Sequence, residues 1–125
     1  MALFTAANIY ADPVYLDCFV EDTPNVRSDF KVRLDESSGK VSHSDDRLTY
    51  NADGIWTADS VSYKHVAAGD RLVPTVIGEI HINRSTLKVD KYVIIVYPDQ
   101  FHEPDHTIGP SSGFCTITEV AKKQF

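Results

Sequence analysis

His102-Glu103-Pro104-Asp105-His106 is the sharpest chemical cluster in the chain: two imidazoles at i and i+4, with two carboxylates between them. Nitrogen and oxygen donors of this kind bind a divalent ion such as Zn²⁺ when they converge at about 2 Å. Pro104 breaks the helical geometry in which an i, i+4 pair converges. A loop must therefore bring His102 and His106 together, and His81 is the residue available as a third ligand. The competing reading, and the stronger one, is a solvated acidic loop.

A second cluster, His43-Ser44-Asp45-Asp46, has the residue types of a general base beside carboxylates. Nucleophilic catalysis would also need a Ser or Cys placed against that histidine, and no G-x-S-x-G elbow exists. A polar loop is expected there. Cys115 follows Phe114 in a strand-like stretch and reads as a small core residue. The glycines of Ala68-Gly69-Asp70 and of Gly109-Pro110-Ser111-Ser112-Gly113 match no phosphate-binding loop and read as turn chemistry. No catalytic residue and no cofactor is expected.

The elements that would position these groups are mostly strands. Tyr92-Val93-Ile94-Ile95-Val96-Tyr97 is an unbroken β-branched and aromatic run that predicts a strand buried on both faces. Phe30, Val32 and Leu34 alternate with charged residues and predict a half-buried strand, followed by a turn over Asp35–Gly39. Shorter strands are predicted at Val41–His43, Arg47–Tyr50, Arg71–Val73, Val76-Ile77, Ile80–Ile82, Leu87–Val89 and Phe114–Val120, with turns at Asn51–Gly54, Ala67–Asp70 and Asn83–Ser85; Trp56, the only tryptophan, reads as an anchor for a core or an interface. Within an N-terminal segment, 1–20, Leu3, Ala6, Ala7 and Tyr10 share a face at helical spacing, and Pro13 suits the start of a further helical turn through Val14 and Leu16. Residues 98–113 read as one long loop, stiffened by Pro98, Pro104 and Pro110. The expected fold is mainly β: a single small antiparallel β-barrel or sandwich over 1–125, with a short N-terminal helical segment.

Composition narrows the function. At 125 residues, 42% hydrophobic and 24% charged, the chain suits one globular domain. Twelve Lys and Arg against eighteen Asp and Glu give a net charge of −6, with no basic stripe to grip phosphates or an anionic membrane. No basic-then-apolar leader and no membrane-length apolar run is visible. A reducing cytoplasm and two free, partly buried thiols, Cys18 and Cys115, are expected.

Two stretches resemble the small head–tail joining (head-completion, or neck) proteins of long-tailed phages. The first is Leu3-Phe4-Thr5-Ala6-Ala7-Asn8-Ile9-Tyr10-Ala11-Asp12. In the second, Trp56 precedes Asp59-Ser60-Val61, then Ala68-Gly69-Asp70-Arg71-Leu72, then Leu87-Lys88-Val89-Asp90; Gly113-Phe114-Cys115 before a last strand is also similar. The resemblance implies a non-enzymatic virion protein that forms a ring joining the head portal to the tail. Its partners would be copies of itself and portal and tail proteins, with DNA passing an acidic lumen without specific binding and no membrane involved. It would reside in the virion, and in the host cytoplasm during assembly. Interface residues are expected among Leu3, Phe4, Tyr10, Tyr15, Tyr63, Phe101 and Phe125. The alternatives are a small metal-binding domain or an acidic module that docks a basic protein.

Overall fold

The alternation at Phe30, Val32 and Leu34 places one edge of each pleat in a shared interior, and the same arithmetic recurs along most of the chain. The computed structural model describes residues 12–23 and 25–118. Nine strands run β1 (Val14–Thr23), β2 (Val26–Asp35), β3 (Lys40–Ser44), β4 (Thr49–Asp53), β5 (Ile55–Trp56), β6 (Ser60–Ala67), β7 (Thr75–Asn83), β8 (Lys88–Val96) and β9 (His106–Ile117), with one 3₁₀ turn at Asp99–Phe101. All neighbours are antiparallel, in the order β4-β3-β2-β1-β9-β8-β7-β6-β5. The sheet thus consists of two meanders, β1 to β4 and β5 to β8, with β9 inserted between β1 and β8.

The sheet curls into a nearly closed barrel. Its interior holds Leu16, Val20, Phe30, Val32, Val41, Val61, Tyr63, Ile80, Ile82 and Val89, all buried. At about 25 cal/mol per Å² of apolar surface removed from water, this cluster is the main favourable term in folding. The stretch from Thr49 to Trp56 pairs first with β3 and then, past Gly54, with β6, so one bent strand carries the chain across the closure. A side chain at Gly54 would collide with the Trp56 ring, which packs over that corner against the core.

Short polar side chains set the turns. Asp45 Oδ1 accepts the backbone N–H groups of Arg47 and Leu48, Asp70 Oδ1 those of Leu72 and Val73, and Asn83 Oδ1 those of Ser85 and Thr86. This repeated turn, in which a side chain replaces a backbone acceptor, makes the hairpin reversals local. It also explains why Arg71–Val73 is not a strand: the N–H groups of Leu72 and Val73 are already committed to Asp70.

Several expectations are corrected. Leu3–Tyr10, the proposed helical stretch, lies outside the described residues. From Val14 onward the N-terminal segment is strand, because Leu16, Cys18 and Val20 alternate inward. Asn51–Asp53 belongs to β4 rather than to a turn. The 98–113 loop is shorter than expected, because His106–Gly113 forms the first part of β9. Pro110 is accommodated at a register shift opposite Lys91 to Val93, the kind of irregularity that tolerates a residue without an N–H. Tyr92–Val96 is half-buried on both faces and extends beyond the filled part of the barrel. Finally, the thiols are not free: Cys18 and Cys115 face each other across β1 and β9 and form a disulfide.

Candidate functional site

The structure does not bring the three candidate histidines together. His102 sits in a left-handed conformation after the 3₁₀ turn, and His106 opens β9 opposite Ile95. His81 lies on β7 opposite Asp90, about 17 Å along the strand from the level of His106 and on the other face. It is bonded through Nε2 to Glu79 at 2.7 Å, with Tyr92 edge-on to its ring. Among the described residues no group of three or more His, Cys, Asp or Glu converges to hold a metal.

The other histidine cluster is not a polar loop. His43 is the one buried polar side chain of the core among the described residues. Its Nδ1 lies 2.7 Å from the Tyr63 hydroxyl and its Nε2 3.1 Å from Asp45 Oδ2. Asp45 also takes two backbone N–H groups; burial alone would raise its pKa, but these bonds and His43 hold it below the usual carboxylate value. An ionised carboxylate can only accept, so Nε2 carries the hydrogen and Nδ1 accepts from Tyr63. Burial lowers the basicity of His43 against the opposing pull of Asp45. Burial also raises the Tyr63 hydroxyl well above its ordinary value and the Tyr50 hydroxyl to about 12. At neutral pH both members of the His43–Tyr63 pair are therefore uncharged.

These groups lie in a ladder of rings. Phe30 stacks on His43 at 4.9 Å between centroids, His43 on Tyr50 at 4.8 Å, and Tyr50 meets His65 at 4.5 Å. The ladder runs from β2 through β3 and β4 to β6. It therefore crosses the seam between β4 and β6, strands that pack side by side without ladder pairing. A cavity of about 560 Å³ opens over it, lined among others by Asp29, His43, Asp45, Arg47, Ile80 and Lys91. Both His43 nitrogens are occupied by neighbours and Ser44 Oγ is bonded to Thr49, so no nucleophile stands against a free base. Chemically, the cluster holds the barrel's polar interior together. The sequence signal for it was an inward-facing His within the alternation Val41-Ser42-His43.

The second feature lies above the barrel. Beyond the rows filled by the core, β6 to β9 continue as a four-stranded arm. Its rows read Ala67–Val76–Ile95–His106, Val66–Ile77–Ile94–Thr107 and His65–Gly78–Val93–Ile108. Apolar side chains stand on both faces, with Val66 47%, Val76 38% and Ile108 49% exposed. Each outer strand of the arm has an unpaired edge: β6 beyond Ser62, and β9 before Ser112. Of the expected interface residues, Tyr63 is buried in the core. Tyr15 is half-buried on the outer wall beside Arg33, and Phe101 is exposed at the arm's tip. Leu3, Phe4, Tyr10 and Phe125 lie outside the described residues.

No protein-family model, curated protein or solved structure matches the chain. No helix among the described residues is long and apolar enough to cross a membrane.

Proposed function

We propose that this chain is a non-enzymatic structural protein whose copies associate through the β6–β9 arm into a closed ring. The arm carries the reading. A sheet with apolar residues on both faces and two open edges exposes what monomeric proteins normally cover, blunt or charge. With four strands in the arm, β6 and β9 run in opposite directions. One copy's β9 edge can therefore meet the next copy's β6 edge in antiparallel order, a head-to-tail contact that closes when the rotation suits.

On the strength of the resemblance at Trp56–Asp90, we propose that such a ring sits at the neck of a long-tailed phage particle, between portal and tail. The net charge of −6 suits a lumen past which DNA slides. Assembly in the host cytoplasm and residence in the virion follow from that placement. A disulfide persists on a virion surface better than in a reducing cell, so the Cys18–Cys115 bridge belongs to the finished particle.

Sedimentation velocity on the purified protein, with electron microscopy of the heavier species, tests the proposal. Rings are expected at micromolar concentration, and a monomer at every concentration would refute association. The variant carrying both Val76→Lys and Ile108→Lys is expected to sediment as a monomer. Its melting temperature should lie within a few degrees of the parent's, since both side chains are already partly exposed.

A further inference from the structure

We propose that the seam between β4 and β6 is an acid-operated latch: when His43 takes up a proton, the Tyr63 hydroxyl loses its acceptor and the two strands part. At this seam the barrel lacks backbone pairing. Past the Gly54 bend, where the chain itself crosses to pair with β6, the seam is spanned by the His43–Tyr63 hydrogen bond and ring contact and by the contacts of the Tyr50 ring with Tyr63 and His65. In the neutral state every polar group is satisfied: Tyr63 donates to Nδ1, Nε2–H donates to Asp45, and no buried side-chain nitrogen or oxygen among the described residues lacks a partner.

Protonation reverses that bookkeeping. Nδ1 becomes a donor, so the Tyr63 oxygen must accept, and its own hydrogen is left facing an apolar interior. A buried hydroxyl without an acceptor is disfavoured, and so is a cation out of water.

The charges around His43 come from several elements. Asp45 attracts the imidazolium but is already shared with two backbone N–H groups. Lys91 on β8 and His65 on β6 oppose it. Asp22, Arg27, Asp29, Asp46 and Arg47 line the wetter mouth, and the Tyr50 and Tyr63 hydroxyls stay neutral through this range. The faces of Phe30 and Tyr50 favour a cation, yet they cannot accept the Tyr63 hydrogen. Opening the unpaired seam admits water to all of these groups at once. That is the local route to relief, because the ladders of the remaining strands need not break.

Because burial holds His43 below its ordinary value, the closed seam keeps its full stability above about pH 6.5. Stability falls as pH drops below that, and the opening constant rises by up to about tenfold per pH unit in that window.

The test is an NMR titration of the whole chain from about pH 7.5 to about pH 4.5, around the ordinary histidine value. It follows the His43 ring nitrogens together with the Tyr50–His65 and Tyr50–Tyr63 ring cross-peaks. Those cross-peaks should vanish as His43 protonates, while cross-peaks between β1 and β9 persist. In His43→Gln, which does not titrate, they should survive to the lowest pH, whereas His65→Gln should still lose its remaining Tyr50–Tyr63 cross-peaks as His43 protonates. Protonation of His43 with the cross-peaks intact would overturn the latch, as would their loss in His43→Gln at the same pH. Should His43→Gln fail to fold, the parent's titration decides alone.

Discussion

Replacing Cys18 and Cys115 together by alanine is expected to lower the stability of this protein by about 4–5 kcal/mol. The bridge joins residues separated by 97 positions, so it closes nearly the whole described chain into one loop. In the chain-entropy account, a cross-link over about 100 residues removes roughly 4.7 kcal/mol of freedom from the unfolded ensemble. It also removes two buried sulfur atoms from the wall between β1 and β9. Set against the 5–15 kcal/mol typical of a single domain, this is a large share. For a chain of this size the melting temperature should drop by roughly 15 °C. Circular dichroism melts of the native and fully reduced protein check this without any substitution, since reduction should reproduce the double variant. A fall of only a few degrees in both would mean that the bridge contributes little to holding β9 in place.

Gly113→Ala should be nearly as damaging, for a different reason. Gly113 is buried in β9 opposite Val20, and a Cβ there would overlap the Phe19 carbonyl oxygen and lie 2.7 Å from its carbonyl carbon and 3.0 Å from Val20 Cα. Every obstructing atom is backbone, so no side-chain rotation relieves the clash. β1 and β9 must separate locally, breaking ladder bonds beside the disulfide. A loss of about 3–5 kcal/mol is expected, at the upper end of single substitutions. The contrast is Gly78→Ala in β7, where an added Cβ meets nothing within 4 Å. That variant should change stability by less than about 1 kcal/mol, in the favourable direction, because a strand glycine loses more freedom on folding. Urea unfolding of both variants gives the comparison. A Gly113→Ala midpoint beside the parent's would show that β1 yields more easily than this packing implies.

Both effects fall on the β1–β9 junction, which was also the hardest part of the fold to anticipate. β2 was visible because Phe30, Val32 and Leu34 alternate, and the turn at Asp35–Gly39 because Gly39 takes a positive φ there. The start of β9 was hidden because Gly109-Pro110 resembles a loop. Only pairing with β8 shows that the two residues lie at a register shift within a strand. Tyr92–Val96 was recognisable as a strand, yet its unbroken apolar run signals two half-covered faces of an arm rather than burial between layers. His43 looked like part of a polar tract, Ser42–Asp46, because nothing adjacent in sequence announces the Phe30, Tyr50 and Tyr63 rings that enclose it.

What the amino-acid order alone determined is the β class, most strand positions and most reversals. Those depend on neighbours within a few residues: period-two alternation, and Asp, Asn or Thr side chains that accept the N–H groups two and three residues on. Tertiary structure alone decided that Cys18 meets Cys115, that His43 is sealed beneath Tyr63 at an unpaired seam, that His81 stands far from His106, and that β6 to β9 outrun the barrel. Each of these depends on register between strands distant in the chain. A shift of one residue sends a side chain to the opposite face, and that choice is made by the packing of the whole barrel rather than by any local run of residues.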